Sequence, residues 1–178
     1  HQTAGNIQGL LALLHEMQQM LAEISGLPAV SLQPAAGAHG ELTALFVAAA
    51  YFRARGENRT KVIFPASAHG TNPASAAMAG MTVVIVACDQ HGNIDIADLE
   101  SKAAQHRDRL SALMLTYPST HGVFEEGVRR ICQIVHTHGG PRTGDPEPAD
   151  SLEDLDRFAV MVRQGYAWIG STYRRGGY

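Results

Sequence analysis

Hydrophobic residues recur at helical and strand spacings along most of the chain. Between Ile7 and Ile24 they stand three and four residues apart, the period of an amphipathic α-helix. Gly26-Leu27-Pro28 predicts the end of that helix. A short β-like run follows at residues 29–33, and the small-residue segment 34–40 leads into a second helix from about Glu41 to Arg55. The pattern at the start of the chain is therefore helix, strand, loop and helix.

Strands and helices continue to alternate as far as His138. The pattern predicts strands at 61–64, 82–88 and 111–116, and helices at 74–79, 95–106 and 125–138. This order predicts an α/β layered domain with a largely parallel sheet.

Three details of these elements are expected from residue type. The strand at 82–88 is apolar and β-branched, which is typical of a strand buried on both faces. Asp95 has Asp98 three residues after it, so it should cap the helix that follows. Glu125 and Glu126 should be first-turn charges of the last helix, where the helix dipole favours acidic residues.

The character of the chain changes after Gly140. Residues 141–148 are Pro-rich, Ser151 to Val162 has the pattern of a capped helix, and an apolar-aromatic patch follows at Tyr166 to Ile169. We expect three segments: an α/β domain at 1–140, a Pro-rich linker at 141–150, and a divergent C-terminal helix and tail at 151–178. If the sheet stops at Thr116, its open edge is exposed unless the patch covers it.

Composition excludes two classes of function. The chain has 178 residues, a formal charge of −3 and only 6% aromatic residues, so it lacks the basic surface of a nucleic-acid or anionic-membrane binder. Apolar stretches such as Met81 to Cys88 are far shorter than the roughly 20 residues that span a bilayer. We therefore expect neither nucleic acid nor membrane as a partner.

The start of the chain and its cysteines indicate its origin and its compartment. His1 to Gly5 has neither the features of a signal peptide nor an initiator Met, so we expect the chain to begin within a longer protein. Cys88 and Cys132 fit small buried thiols in a reducing compartment better than a disulfide. A cytoplasmic location is the expectation.

Loops rich in small and polar residues follow the predicted strands. They cover 33–40, 65–71 and 117–122. Because ligands of open parallel sheets bind at the carboxyl ends of the strands, these three loops should meet at one crevice.

Each loop has a functional and a purely structural interpretation. The segment 35–40 has the small residues and the helix start that suit a phosphate group, or it is simply a tight turn. His69 lies in the loop 67–73, where an imidazole could stack on a flat cofactor, move a proton, or only bond its neighbours. His121 presents the same choice in the loop 117–122. Cys132, His136 and His138 share one helix end, but the helix dipole already explains the two histidines and no ligand set is complete, so no metal is predicted.

Four strings carry a resemblance to a known family. They are "AVSLQPAAGAHGE", "SAHGTNPASAAMAGM", "DQHGNIDIADL" and "ALMLTYPSTHGVFEEGVRRICQIVHTHGG", and they occur in this order between about residues 8 and 140. Together they resemble the P-protein of the glycine cleavage system, in its C-terminal half or second subunit.

The resemblance implies a fold, a reaction and partners. The fold is α/β, a partial large domain of the fold-type I transferases that depend on pyridoxal 5'-phosphate (PLP). The reaction is decarboxylation of glycine, with the PLP ring taking up electrons and the aminomethyl group passing to the lipoyl arm of the H-protein. The partners are therefore glycine, the lipoyl H-protein and a second P-protein chain or subunit.

The resemblance also implies roles for particular residues. Ala36, Gly37 and Ala38 would donate backbone N–H groups to the PLP phosphate, and His69 would stack on the pyridine ring. Ser119, Thr120 and His121 would line the glycine or lipoyl side of the site.

The sequence departs from the family at several positions. Ala35 and His39 replace an Asn and a Gln of the phosphate loop, and Asp145 stands in the Pro-rich segment rather than after a strand. The lysines of the chain are Lys61, at the start of a strand, and Lys102, on a helix, and neither fits the Schiff-base lysine of the family. We therefore assign no catalytic residue and expect the chain alone to be inactive.

Three hypotheses remain open at this point. The chain contributes part of a PLP site that a partner completes, or it is a non-catalytic remnant or association module with the same fold core. A third possibility is a different fold-type I decarboxylase, which competition between glycine and larger amino acids would distinguish.

Overall fold

The computed structural model describes residues 2–25, 30–139, 158–163 and 166–170. The chain divides into two compact units, His1–Ala35 and Ala36–Tyr178. The helices are α1 (Gln8–Ser25), α2 (Gly37–Ala54), α3 (Thr71–Met78), α4 (Ile96–Gln105) and α5 (Val128–Gly139). The strands are β1 (Lys61–Pro65), β2 (Thr82–Val86), β3 (Leu110–Thr116), β4 (Phe158–Arg163) and β5 (Tyr166–Gly170). None of the described helices is long and apolar enough to cross a membrane.

The first unit consists mainly of α1, which follows a single 3₁₀ turn at Ala4–Ile7. The predicted helix is confirmed. The predicted strand that follows it is wrong for residues 30–33, which pair with no other strand. The Val30 carbonyl instead accepts a hydrogen bond from Gln18 Nε2 at 2.9 Å, and Gln33 N donates to Ser31 Oγ at 3.3 Å. Local side-chain bonds thus replace a ladder in this segment.

The second unit contains a five-stranded sheet in the order β2-β1-β3-β4-β5. The first four strands are parallel; Lys61 faces Thr82 in the pairing of β1 with β2, and Ala112 faces Phe158 in the pairing of β3 with β4. β5 runs antiparallel to β4 and forms one edge. The predicted α/β fold with a largely parallel sheet is therefore confirmed.

Helices cover both faces of this sheet. On one face, Val62 and Phe64 of β1 pack with α2 and α3 through residues such as Leu45 and Ala76. On the other face, Ile63 packs with α4 and α5 in a second apolar cluster. The alternation of side chains along β1 divides the core between these two layers.

β2 is an edge strand, which corrects the expectation that it is buried on both faces. Thr82 and Ile85 are exposed, while Val84 and Val86 are buried. An apolar run does not reveal whether a strand has one neighbour or two, so the sequence pattern missed this position.

α4 covers the open edge of β2 with two side chains. Lys102 Nζ donates to the Ile85 carbonyl at 2.7 Å and to Asp98 Oδ2 at 2.7 Å. Asp98 Oδ2 also accepts from Ala87 N at 2.8 Å. The hydrogen bond from Ala87, followed by that from Lys102, lowers the pKa of Asp98 below its usual range. Asp95 caps the same helix by accepting from Asp98 N at 3.0 Å, as predicted.

α5 begins three residues later than predicted, at Val128. Glu125 and Glu126 therefore precede it, and their assignment to its first turn is wrong. Glu125 is buried, and its carboxylate accepts from Ile94 N at 2.7 Å and from Gly127 N at 3.3 Å. It joins the loop before α4 to the loop before α5.

The C-terminal part of the chain differs most from the prediction. The helix expected at Ser151 to Val162 is wrong for Phe158–Arg163, which form β4 beside β3. The sheet therefore does not end at Thr116, and the patch at Tyr166 to Ile169 belongs to β5, which pairs with β4 rather than covering β3. The Pro-rich linker lies outside the described residues, and the division at 140 and 150 stays a prediction.

A buried arginine closes the amino end of the sheet. Arg59 precedes β1 and donates to the carbonyls of Leu110 at 2.9 Å and Arg107 at 3.1 Å. Its Nε donates to Glu57 Oε2 at 2.6 Å, and its guanidinium lies over the Phe52 ring, 5.5 Å from the centroid. These contacts join α2, β1 and β3 at the end of the sheet where the strands begin.

Candidate functional site at the carboxyl ends of the strands

α2 begins with open backbone N–H groups. Its N-cap is Ala36, which is extended (φ −155°, ψ 163°) and has no side chain that accepts a hydrogen bond. Gly40 N makes the first main-chain bond of the helix, to Ala36 O at 3.0 Å. The N–H groups of Gly37, Ala38 and His39 precede this bond and have no partner within the helix. Such a terminus attracts an anion through its dipole and its donors.

The loop after β1 presents His69. The ring is exposed, and its Nδ1 lies 3.0 Å from Thr71 Oγ1. Thr71 N also donates to Nδ1, at 3.3 Å. Both bonds are on one edge of this exposed ring, and neither involves its face.

Asn72 lies at the centre of the polar groups in this region. It is fully buried, and its amide lies 3.3 Å from Thr71 Oγ1 and 3.5 Å from Thr116 Oγ1. With its nitrogen toward Glu41, the amide donates to both carboxylate oxygens, at 3.1 and 3.3 Å. We assign this orientation because the reverse would place the amide oxygen against a carboxylate. We call Glu41, His69, Thr71, Asn72 and Thr116 the strand-end cluster.

The strand-end cluster joins three elements that the sequence separates. Glu41, itself buried, comes from α2, Asn72 from the first turn of α3, and Thr116 from the last position of β3. The cluster therefore brings α2, the loop after β1 and the end of β3 together, while the predicted meeting of the loops 33–40, 65–71 and 117–122 stays a prediction. Ala36, Gly37, Ala38 and His69 lie on the first two of these elements.

The loop after β3 is held mainly by its own bonds. Ser119 Oγ accepts from His121 N at 3.3 Å and Val123 N at 3.2 Å. Gly122 has a φ of 79°, a conformation that glycine tolerates, and Gly122 N donates to Ser119 O at 2.8 Å. Thr120 and His121 are exposed. Ser119 therefore shapes the loop, and the substrate-side roles of Ser119, Thr120 and His121 stay predictions.

The two lysines lie away from the cluster or are engaged elsewhere. Lys61 stands at the amino end of β1, about 13 Å along the strand from Pro65. Lys102 bonds Ile85 O and Asp98. Among the described residues, no group of three or more His, Cys, Asp or Glu side chains is placed to hold a metal ion.

Sequence reasoning missed Glu41 and Asn72 as site residues. Asn72 stands inside the quoted string "SAHGTNP", but its burial and its bonds to α2 and β3 depend on the packing of three elements. Glu41 was assigned only to the start of the second predicted helix, with no role. One signal was present: Glu41 is acidic and Ala44, Leu45 and Ala48 follow on the buried side of the same helix, which is the face a charged residue normally avoids.

Comparison with solved structures defines the class of fold. Mouse CSAD superimposes with a TM-score of 0.62 over 77% of this chain and 32% of that protein, at 17% identity. The glycine decarboxylase (P-protein) of the glycine cleavage system, in inhibitor-bound form, superimposes with a TM-score of 0.58 over 74% of this chain and 28% of that protein, at 20% identity. The chain therefore has the α/β fold of these PLP-dependent transferase-like proteins.

Sequence comparison makes the assignment more particular. Glycine dehydrogenase (decarboxylating) of Nitrobacter hamburgensis is 59% identical over 134 residues, which is 75% of this chain and 14% of that protein. The protein of the same name from Bdellovibrio bacteriovorus is 55% identical over 154 residues, 86% of this chain and 16% of that protein. No protein-family model matches the chain.

The chain is thus similar to one segment of glycine dehydrogenase (decarboxylating), which confirms the resemblance seen in the sequence. The chain spans 14% to 16% of the length of these curated relatives.

Proposed function

We propose that this chain forms the phosphate-binding and ring-stacking part of a PLP site that acts in glycine decarboxylation. The observation that supports this most directly is the placement of the open N-terminus of α2 and the exposed ring of His69 on two elements joined by Asn72. PLP presents a dianionic phosphate and a flat ring, and these two features suit it.

The residues fit the phosphate and the pyridine ring of PLP. The lysine that would bind its aldehyde must come from other polypeptide. The N–H groups of Ala36, Gly37 and Ala38 would bind the phosphate, with the open N–H of His39 beside them, and the His69 face would stack on the pyridine. When bound, PLP supplies an electron sink for carbon–carbon bond cleavage. Neither Lys61 nor Lys102 is placed to form a Schiff base, so we propose that this lysine comes from polypeptide beyond these 178 residues.

The remaining parts of the proposal follow from the resemblance to the P-protein. Glycine is the substrate, and the lipoyl H-protein and a second P-protein chain or subunit are the partners. The site is cytoplasmic; Cys88 and Cys132 are partly buried and are not joined by a disulfide, which is consistent with a reducing compartment. Ser119, Thr120 and His121 would line the side where glycine and the lipoyl arm enter.

Titration with PLP tests the proposal. We expect the purified chain to bind PLP non-covalently and to bind pyridoxal, which lacks the phosphate, much more weakly. His69→Ala should weaken PLP binding about tenfold, the equivalent of one stacking contact. His91→Ala is the matched control, because His91 is an exposed histidine in the turn after β2 and should leave binding unchanged.

Borohydride reduction and mass spectrometry extend the test. We expect no stoichiometric adduct on Lys61 or Lys102. An adduct that is lost in Lys102→Arg would show that a lysine of this chain forms the Schiff base with PLP. Absence of any PLP binding would reject the proposal and favour the non-catalytic association module.

A further inference from the structure

The strand-end cluster forms a directed chain of hydrogen bonds from a buried carboxylate to the exposed histidine. The Asn72 amide nitrogen donates to Glu41 at 3.1 Å and, with its other hydrogen, faces Thr71 Oγ1 at 3.3 Å. A threonine hydroxyl that accepts there is free to donate its own hydrogen to His69 Nδ1, 3.0 Å away. Each member of the chain thereby fixes the direction of the next bond.

The backbone adds a second constraint on the same ring nitrogen. Thr71 N–H donates to His69 Nδ1 at 3.3 Å, and a nitrogen that accepts two hydrogen bonds carries no proton of its own. A neutral ring must then carry its proton on Nε2, the edge directed away from Thr71.

We infer that Glu41, Asn72 and Thr71 are positioning residues that hold His69 in the Nε2–H form with its face open to the cofactor ring. The inference depends on the proposed function only in naming the PLP ring as the group on which His69 stacks. Glu41 lies on α2, the helix whose first N–H groups would bind the phosphate, so the same chain ties the two contacts to PLP to one another.

Nitrogen NMR of the full chain without PLP measures the tautomer directly. We expect His69 Nδ1 to show the shift of an unprotonated, pyridine-type nitrogen and Nε2 that of a protonated, pyrrole-type nitrogen. His69→Ala identifies the signal among the nine histidines. A protonated Nδ1, or an equal mixture of tautomers, in the unmodified chain would overturn the inference.

Two pairs of variants test the chain of bonds. Thr71→Val removes the hydroxyl bond to His69 and keeps the backbone N–H bond, so it should shift the His69 signals part of the way toward a mixture of tautomers, while Thr71→Ser, which restores the hydroxyl, should keep the original pattern. Glu41→Leu should shift them as well; Glu125→Leu removes another buried carboxylate that has no bond to this cluster and should leave them unchanged.

The outcomes separate this inference from the proposed function. A fixed tautomer that responds to Thr71 and Glu41 supports the positioning role even if PLP fails to bind. His69 signals that stay unchanged in Thr71→Val overturn it even if PLP binds, and this comparison stands if Glu41→Leu does not fold.

Discussion

The two ends of the central sheet use buried charge in opposite ways. At the amino end, Arg59 donates to Glu57 and to two carbonyls, so that its bonds are directed back into the protein. At the carboxyl end, the bonds that start at Glu41 lead outward to the exposed ring of His69, and α2 begins without a side-chain cap. One end is built for stability, and the other keeps open groups that a ligand can use.

The largest effect is expected at the amino end. Arg59→Met should lower the free energy of unfolding by about 2–5 kcal/mol, because the carbonyls of Leu110 and Arg107 lose their donor while Glu57 keeps its bond to Arg55. Chemical denaturation followed by circular dichroism measures this. PLP binding by the protein that remains folded should not change.

Arg55→Met is the matched control for that prediction. Arg55 also bonds Glu57, at 3.0 Å, but its side chain is 42% exposed, so its loss should cost less than about 1 kcal/mol. Equal losses for the two variants would contradict a structural role specific to Arg59.

A smaller loss is expected at the carboxyl end. Asn72→Ala should lower the free energy of unfolding by about 1–3 kcal/mol, because the buried Glu41 carboxylate loses its donor. Combining it with Glu41→Leu should recover part of the loss, since no carboxylate then remains to be satisfied. A double variant whose loss equals the sum of the single losses would show that the two residues do not interact.

The start of α2 should gain stability when it is capped. Ala36→Asp should raise the free energy of unfolding by about 0.5–2 kcal/mol and weaken PLP binding, because its carboxylate occupies the N–H groups and repels a phosphate. Asp95→Ala, which removes the existing cap of α4, should lower stability by a similar amount without affecting PLP. Undiminished PLP binding by Ala36→Asp would exclude the start of α2 as the phosphate site.

The smallest effect is the dependence of stability on pH at the amino end. Burial of Glu57 acts to raise its pKa, but hydrogen bonds and charges from Arg59 and Arg55 together outweigh burial and lower the pKa from its ordinary value of 4.5. Stability from this group is therefore present above that value and is lost as the pH falls through the lowered pKa.

Glu57→Gln should remove this pH-dependent contribution. The variant should be less stable than the original chain at neutral pH, by less than about 1 kcal/mol, and the difference should disappear in acid. Denaturation curves over a pH series measure it, and a difference that grows toward acid would contradict the assigned sign.

The sequence predicted those parts of the fold that depend on local periodicity. Helices and strands from α1 to α5 were expected at nearly the observed positions, and Asp95 was expected as a cap, because each depends on neighbouring residues. Periodicity gave no information on burial: Leu13 and Ile24 on α1 are 57% and 77% exposed.

Features that depend on distant partners were not predictable in the same way. Phe158–Arg163 become a strand because β3 offers an unpaired edge, while the isolated pattern was equally compatible with a helix. The candidate site was predicted as a set of loops, and His69 was among its residues. Glu41 was not, because its burial follows from the packing of α2 against Asn72.

The cover over the edge of β2 has a consequence for behaviour in concentrated solution. An uncovered edge strand can template the addition of a strand from a second molecule. An exposed apolar side chain on that strand, such as that of Ile85, favours this addition. Lys102 and Asp98 occupy the main-chain groups of Ile85 and Ala87 that a foreign strand would need. Acetylation of Lys102 would remove its ammonium charge and so weaken this barrier to strand addition.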